Sequence, residues 1–307
     1  MIHFLENRRK RTSFLLLLLI ALFAGCNRLN GTEPEPPDEP DEPELPEPPE
    51  PSVPDTLRIL AIGNSFSSDA VEQNLWELLD ASGIPSVIGN VYAPGSYLSH
   101  HWNRAVGDKA EYRYFKRTKD GSTTLDDQTV LQAIQDEPWG IISLQQASDL
   151  SGLYDTYFPY LPDLMAWIGE RSGAEIVFHQ TWAYPANSTH DAFANYGNDQ
   201  ETMYKAIVDA VRRATAACSI QTVIPVGTAV QNARTSVLGD TLNCDGLHLE
   251  WTYGRFLAAC VWFETLTGQD VRENPYRPES VTEDVAKICR EAAHAACLSP
   301  DAVTSMN

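Results

Sequence analysis

The chain has 307 residues, 43% hydrophobic and 9% aromatic, which is enough for a core and excludes a fibre or a wholly disordered polymer. Its 42 acidic and 22 basic residues give a formal net charge of −20. That balance argues against nucleic acid, because a phosphate backbone needs clustered Lys and Arg.

Arg8, Arg9, Lys10 and Arg11 make a basic start, and Phe14 to Ala24 an apolar run of eleven residues. A membrane span needs about 20 residues, so the run has the length of a signal-peptide core. Ala24-Gly25-Cys26 follows and resembles a bacterial lipoprotein signal. The resemblance implies cleavage before Cys26 and a lipid on its thiol, with residues 1–25 as the signal peptide. An ordinary secretory signal is the alternative, and either one exports the protein. A lipid at Cys26 would anchor it to the membrane of the bacterial envelope, in the outer membrane or periplasm.

Residues 32–54 hold nine acids, no bases and ten of the chain's 20 prolines. Proline removes amide donors and fixes φ, and neighbouring carboxylates repel one another. Residues 26–54 are therefore expected to be a tether, whose Pro-rich residues 32–54 are extended and reach roughly 70 Å at about 3.1 Å per residue. Residues 55–307 are expected to form the folded domain.

Within that domain, Leu57–Ile62 is a short apolar run ending at Gly63, as buried parallel strands do. Residues 70–82 place Val71, Leu75, Leu78 and Leu79 on one helical face, with Gly83 as the stop. Ser86–Tyr92 reads as a second strand. Residues 111–125 read as a small hairpin with a turn at Lys119-Asp120-Gly121. Trp139–Leu144 is a third strand, followed by a helix to residue 171 whose start Pro159 and Pro162 push to near 160. Glu175–Gln180 is a fourth strand, Asp199–Cys218 a long helix, and Gln221–Val226 a fifth strand weakened by Pro225. Helices near 251–266 and 281–296 complete the pattern. Such alternation predicts an α/β domain with a mainly five-stranded parallel sheet covered on both faces. Ligands of such sheets bind beyond the carboxyl ends of the strands.

The residues at those ends carry chemistry. Gly63-Asn64-Ser65 follows strand one, Gly95 follows strand two, and Gln145-Gln146 follows strand three. Asp245-Gly246-Leu247-His248 precedes a late helix. A serine hydroxyl is a poor nucleophile until a base takes its proton. An Asp three residues before a His can fix the imidazole tautomer, and Gly63 allows a sharp turn that exposes Ser65.

Together these motifs, over about residues 57–268, resemble the SGNH or GDSL-like hydrolase superfamily, most closely its SGNH-like lipoproteins of gut Bacteroidetes. The resemblance implies a three-layer α/β/α, flavodoxin-like fold. It also implies Ser65 as nucleophile, His248 as general base and Asp245 as its orienting acid. The oxyanion hole would be the N–H groups of Ser65 and Gly95 with a side-chain amide from Gln145 or Gln146 where the superfamily usually has Asn, Gln145 being preferred because it directly follows the apolar run of strand three. The implied activity is hydrolysis of O-acetyl or other small esters through an acyl-enzyme, with an acetylated glycan as the expected substrate. Neither cofactor nor metal is called for.

Other residues are weighed beside these. His100 and His101 are rival bases. His179, Trp182 and Tyr184 are candidates for a substrate wall. No Cys-x-x-Cys spacing suggests a metal site, and Cys244 could join a disulfide that braces the acid–base loop. Two other functions remain open: a non-catalytic glycan-binding lipoprotein on the same fold, and a lipase or thioesterase with a long apolar cleft.

Overall fold

The structure is a computed structural model and describes residues 56–306. The expected signal peptide, lipid attachment at Cys26 and tether all lie outside the described residues.

Seven strands form one mixed sheet in the order β4-β3-β2-β1-β5-β6-β7. They are β1 (Leu57–Gly63), β2 (Ser86–Tyr92), β3 (Tyr112–Thr118), β4 (Gly121–Gln128), β5 (Ile141–Leu144), β6 (Glu175–His179) and β7 (Val223–Ile224). Strands β1, β2, β5, β6 and β7 run parallel, as the alternation predicts. The expected hairpin adds β3 and β4 antiparallel at one edge. Among the parallel strands the order is flavodoxin-like, and it reverses between β1 and β5.

Strand β1 is buried from Ile59 to Gly63 and β2 from Ser86 to Val91. Helices on both faces exclude water from these strands, so β1 reads as a continuous apolar run rather than an alternating one, while β2 also buries Ser86 and Asn90. The helices are α1 (Ser65–Val71), α2 (Leu75–Ala81), α3 (Leu98–Val106), α4 (Val130–Asp136), α5 (Tyr160–Gly169), α6 (Gln200–Ala217), α7 (Val226–Arg234), α8 (Tyr253–Thr267) and α9 (Glu283–Leu298). Helix α8 packs on α1, α2, α7 and α9, while α3 packs on α4 and α5. Three layers result.

Two boundaries differ from the sequence reading. The helix expected over 70–82 is two helices, broken at Asn74, whose φ is +65°. Tyr276 holds that residue by donating its hydroxyl proton to Asn74 Oδ1 at 3.0 Å. The fifth strand shrinks to Val223–Ile224, because Pro225 has no amide to continue the ladder and α7 starts directly after it.

Candidate active site

The turn after β1 is built around Asn64. Its side-chain oxygen accepts from Phe66 N at 3.0 Å, which caps α1, and from Gln145 Nε2 at 2.8 Å. Its Nδ2 donates to Ser96 O at 3.1 Å. One buried amide therefore ties together the exits of β1, β2 and β5, the three strands that flank the switch point. Gly63 is required here: a Cβ on it would lie 2.7 Å from Ser67 Oγ and 3.0 Å from Gln145 Cδ. The turn delivers Ser65 as the first residue of α1, partly exposed.

Asp245 and His248 arrive from the loop before α8. Asp245 Oδ2 lies 2.7 Å from His248 Nδ1, and Asp245 Oδ1 accepts from the backbone N of Leu247 and His248 at 3.0 and 2.7 Å. Partial burial disfavours the Asp245 carboxylate. The His248 hydrogen bonds and the Leu247 amide outweigh that and hold its pKa below the ordinary value. The loop is fixed from several sides. Trp182 Nε1 and Asn243 Nδ2 both donate to Leu247 O, at 2.9 and 3.0 Å. Ser188 Oγ donates to Gly246 O at 2.7 Å. Gly246 itself has φ +78°, a left-handed conformation suited to glycine.

Ser65, Asp245 and His248 line one cleft of about 390 Å³. The chain thus brings together the three residues singled out for nucleophile, acid and base. Five cysteines fall among the described residues, and all are free. Cys244 lines the same cleft as a thiol, so no disulfide braces the loop. The rival histidines lie elsewhere. His101 is buried against the Tyr112 hydroxyl at 2.8 Å, and His100 lines a separate cavity with Asn103 and Arg104.

The expected substrate wall is corrected. His179, Trp182 and Tyr184 are 1%, 0% and 0% exposed, and none lines the cleft. Their apolar surfaces are used in packing. Trp182 stacks flat on Phe66 with ring centres 4.0 Å apart. Tyr184 pairs its hydroxyl with Ser148 at 2.9 Å, and His179 Nδ1 faces Gln145 Oε1 at 3.1 Å. They brace the site from behind.

Of the oxyanion candidates, Gly95 sits in an exposed turn after β2 with φ +57°. Gln145 is only 2% exposed, and one of its amide hydrogens goes to Asn64. Gln146 is committed elsewhere: its carbonyl accepts from Leu98 N and Ala147 N, and its amide donates to Thr156. Gln145 is thus the one beside the Asn64–Ser65 turn.

Four charged residues that the sequence reading passed over also line the cleft: Asp69, Glu72, Arg113 and Arg255. Asp69 stands one helical turn after Ser65. It bonds Arg255 of α8 at 2.7 Å and accepts from Leu249 N at 2.9 Å. Burial pushes its pKa up to about 6, although Arg255 and the Leu249 amide favour the charged form. The spacing Ser65–Asp69 was a legible hint of a shared face. No comparable signal pointed to Arg113 or Arg255, which come from β3 and α8.

Among the described residues, Glu264, Asp270 and His294 bring three possible metal ligands within 4.8 Å of one another. None of them lines the Ser65 cleft. His294 Nδ1 lies 2.7 Å from Glu264 Oε1, and Arg272 grips Asp270. The cluster reads as a polar tie between α8 and α9.

Residues 58–296 match the family model described as a domain of unknown function, DUF4886. The chain belongs to the DUF4886 family. A DUF4886 protein from Bacteroides uniformis, known from its crystal structure, is 49% identical, with 82% of this chain and 98% of that one covered at a TM-score of 0.81. Weaker likenesses include a candidate SGNH hydrolase from Slackia heliotrinireducens, with 19% identity, 69% and 99% coverage, and a TM-score of 0.48. Another is a mutant of Axe2, an acetyl-xylooligosaccharide esterase from Geobacillus, with 12% identity, 69% and 94% coverage, and a TM-score of 0.45. No curated protein matches the chain.

Proposed function

We propose that this DUF4886 protein is a serine esterase with Ser65 as nucleophile. The observation that carries the reading is that Ser65 and the hydrogen-bonded Asp245–His248 pair line one cleft at the strand carboxyl ends. Asp245 engages Nδ1, which leaves Nε2 of the neutral imidazole to take the serine proton. Ser65 Oγ attacks the ester carbonyl. The tetrahedral oxyanion takes hydrogen bonds from the N–H groups of Ser65 and Gly95 and from the second amide hydrogen of Gln145. As the first residue of a helix, Ser65 has an N–H with no partner inside that helix. Protonated His248 returns its proton to the leaving alkoxide, then activates water to hydrolyse the acyl-enzyme.

The substrate we infer is an O-acetyl ester on carbohydrate, met outside the cytoplasm by a lipid-anchored protein. The charged lining of Asp69, Glu72, Arg113 and Arg255 supports a polar substrate over the long acyl chain of a lipase or thioesterase. Binding without turnover is the second reading. It is favoured by Gln145, whose amide is partly spent on Asn64.

Hydrolysis of p-nitrophenyl acetate separates the two. The esterase reading expects Ser65→Ala and His248→Ala each to lose at least about 10³-fold in kcat/KM. Equal background rates in wild type and both variants would favour the binder.

A further inference from the structure

The cleft walls repeat one motif on two sides: an aromatic ring, a guanidinium lying over it, and a carboxylate that neutralises the guanidinium. On one side Arg255 lies 3.6 Å from the Trp251 ring centre and bonds Asp69 at 2.7 Å. On the other side Arg113 lies 4.6 Å from the Tyr92 ring centre and is paired with Glu72. Trp251 is 61% exposed, the only aromatic among the large exposed hydrophobics of the described residues. It stands three positions after His248. Arg255 covers one face of the indole, and the rest stands in water at the edge of a polar cleft, where a ligand is its natural cover.

The charges decide which ligand. A carboxylated substrate needs unpaired cations, and here Asp69 and Glu72 already occupy both arginines. A long acyl chain would strip water from the more exposed Arg113–Glu72 pair and offer no hydrogen bonds in return. A neutral sugar does neither. Its hydroxyls both donate and accept, matching arginine hydrogens and carboxylate oxygens, while its apolar ring face suits an aromatic surface.

We propose that Trp251 is the stacking platform for a neutral glycosyl ring whose hydroxyls are read by the Arg113–Glu72 pair, while Arg255, held by buried Asp69, supports the indole. The proposal rests on the carbohydrate esterase reading and narrows it to uncharged glycans.

The test compares acetylated xylo-oligosaccharide, a neutral probe, with acetylated oligogalacturonate, an acidic one, each relative to p-nitrophenyl acetate. In wild type the neutral sugar should be preferred over the acidic one at least tenfold in kcat/KM. Trp251→Ala should lower the ratio of xylo-oligosaccharide to p-nitrophenyl acetate turnover at least tenfold, chiefly through KM, and Trp251→Phe should restore most of it. Calorimetric titration of Ser65→Ala and Ser65→Ala/Trp251→Ala reads the same recognition without chemistry, with a tenfold weaker Kd expected in the double variant. A preference for the acidic sugar, no binding of either, or an affinity unchanged by loss of Trp251 overturns the proposal. If wild type fails to hydrolyse p-nitrophenyl acetate yet binds the neutral sugar through Trp251, the esterase reading falls and this one stands.

Discussion

Asp69 joins the two halves of the site. It lies on the helix that Ser65 begins, and its carboxylate holds both Arg255 and the backbone of Leu249, the residue after His248. Its side chain is 3% exposed and that of Arg255 8%, so this is a buried pair. Removing one member leaves the other charge buried and uncompensated, which typically costs about 3–5 kcal/mol. Asp69→Asn should therefore lose roughly that much in urea unfolding, and Asp69→Asn/Arg255→Met should recover part of it. Because the loop bearing His248 loses an anchor, kcat for p-nitrophenyl acetate should fall as well. A stability loss under about 1 kcal/mol would show that the pair is not acting as a buried one. At this scale the sequence disclosed three residues that share the cleft, since Ser65, Asp245 and His248 sit in local motifs with chemical meaning. It could not disclose the partners of Asp69, which lie 180 and 186 positions away. Nor could it tell an exposed tryptophan from a buried one. Trp182 looked like a wall and is core, while Trp251, at the start of the helix read near 251–266 and not singled out, stands in the cleft.

At the scale of elements, apolar runs and strand–helix alternation located the parallel strands, because burial on both faces writes itself directly into composition, while the exposed edge hairpin β3–β4 was legible through its Lys119-Asp120-Gly121 turn. The helices were harder. Helix α1 (Ser-Phe-Ser-Ser-Asp-Ala-Val) is poor in strong helix formers and reads as a turn. It forms because Asn64 caps its start and because Phe66, Ala70 and Val71 are buried. Helices α3, α4 and α7 were unread for related reasons. Helix α3 carries two histidines, a serine, an asparagine and an arginine. Helix α4 is seven residues long, and α7 follows a proline that had been assigned to a strand. The hairpin read as an insertion turns out to matter for the cleft. The β2–β3 register places Arg113 opposite Tyr92, where the guanidinium covers the ring.

For the whole molecule, two buried histidines set the acid limit of stability. His101 and His179 are each pushed down to about 3, His179 by burial and His101 by burial with help from Arg104 and His100. Unfolded histidine titrates near about 6.5. Between that pH and about 3 the unfolded chain binds protons that the folded one refuses, so stability falls as pH falls. Each histidine contributes up to about 1.4 kcal/mol per pH unit well below its unfolded pKa. Asp69 works in the opposite sense. Its folded pKa is raised to about 6, so its contribution improves as pH falls from there toward the unfolded value. Two groups against one leave a net loss, and the urea midpoint should drop from pH 7 to pH 5. A flat or rising midpoint over that interval would contradict the neutral, buried state of both rings. Because His179 supports Gln145, and Gln145 supports Asn64, acid should weaken the nucleophile turn along with the fold.

The central claim is that Ser65 is an activated nucleophile, and covalent capture tests it most directly. The full chain is incubated with a fluorophosphonate and analysed by intact mass and peptide mapping, beside Ser65→Ala and His248→Ala. The account predicts a single adduct on Ser65, absent from Ser65→Ala and formed far more slowly in His248→Ala. No adduct on folded wild-type protein, or an adduct at a different serine, would contradict it.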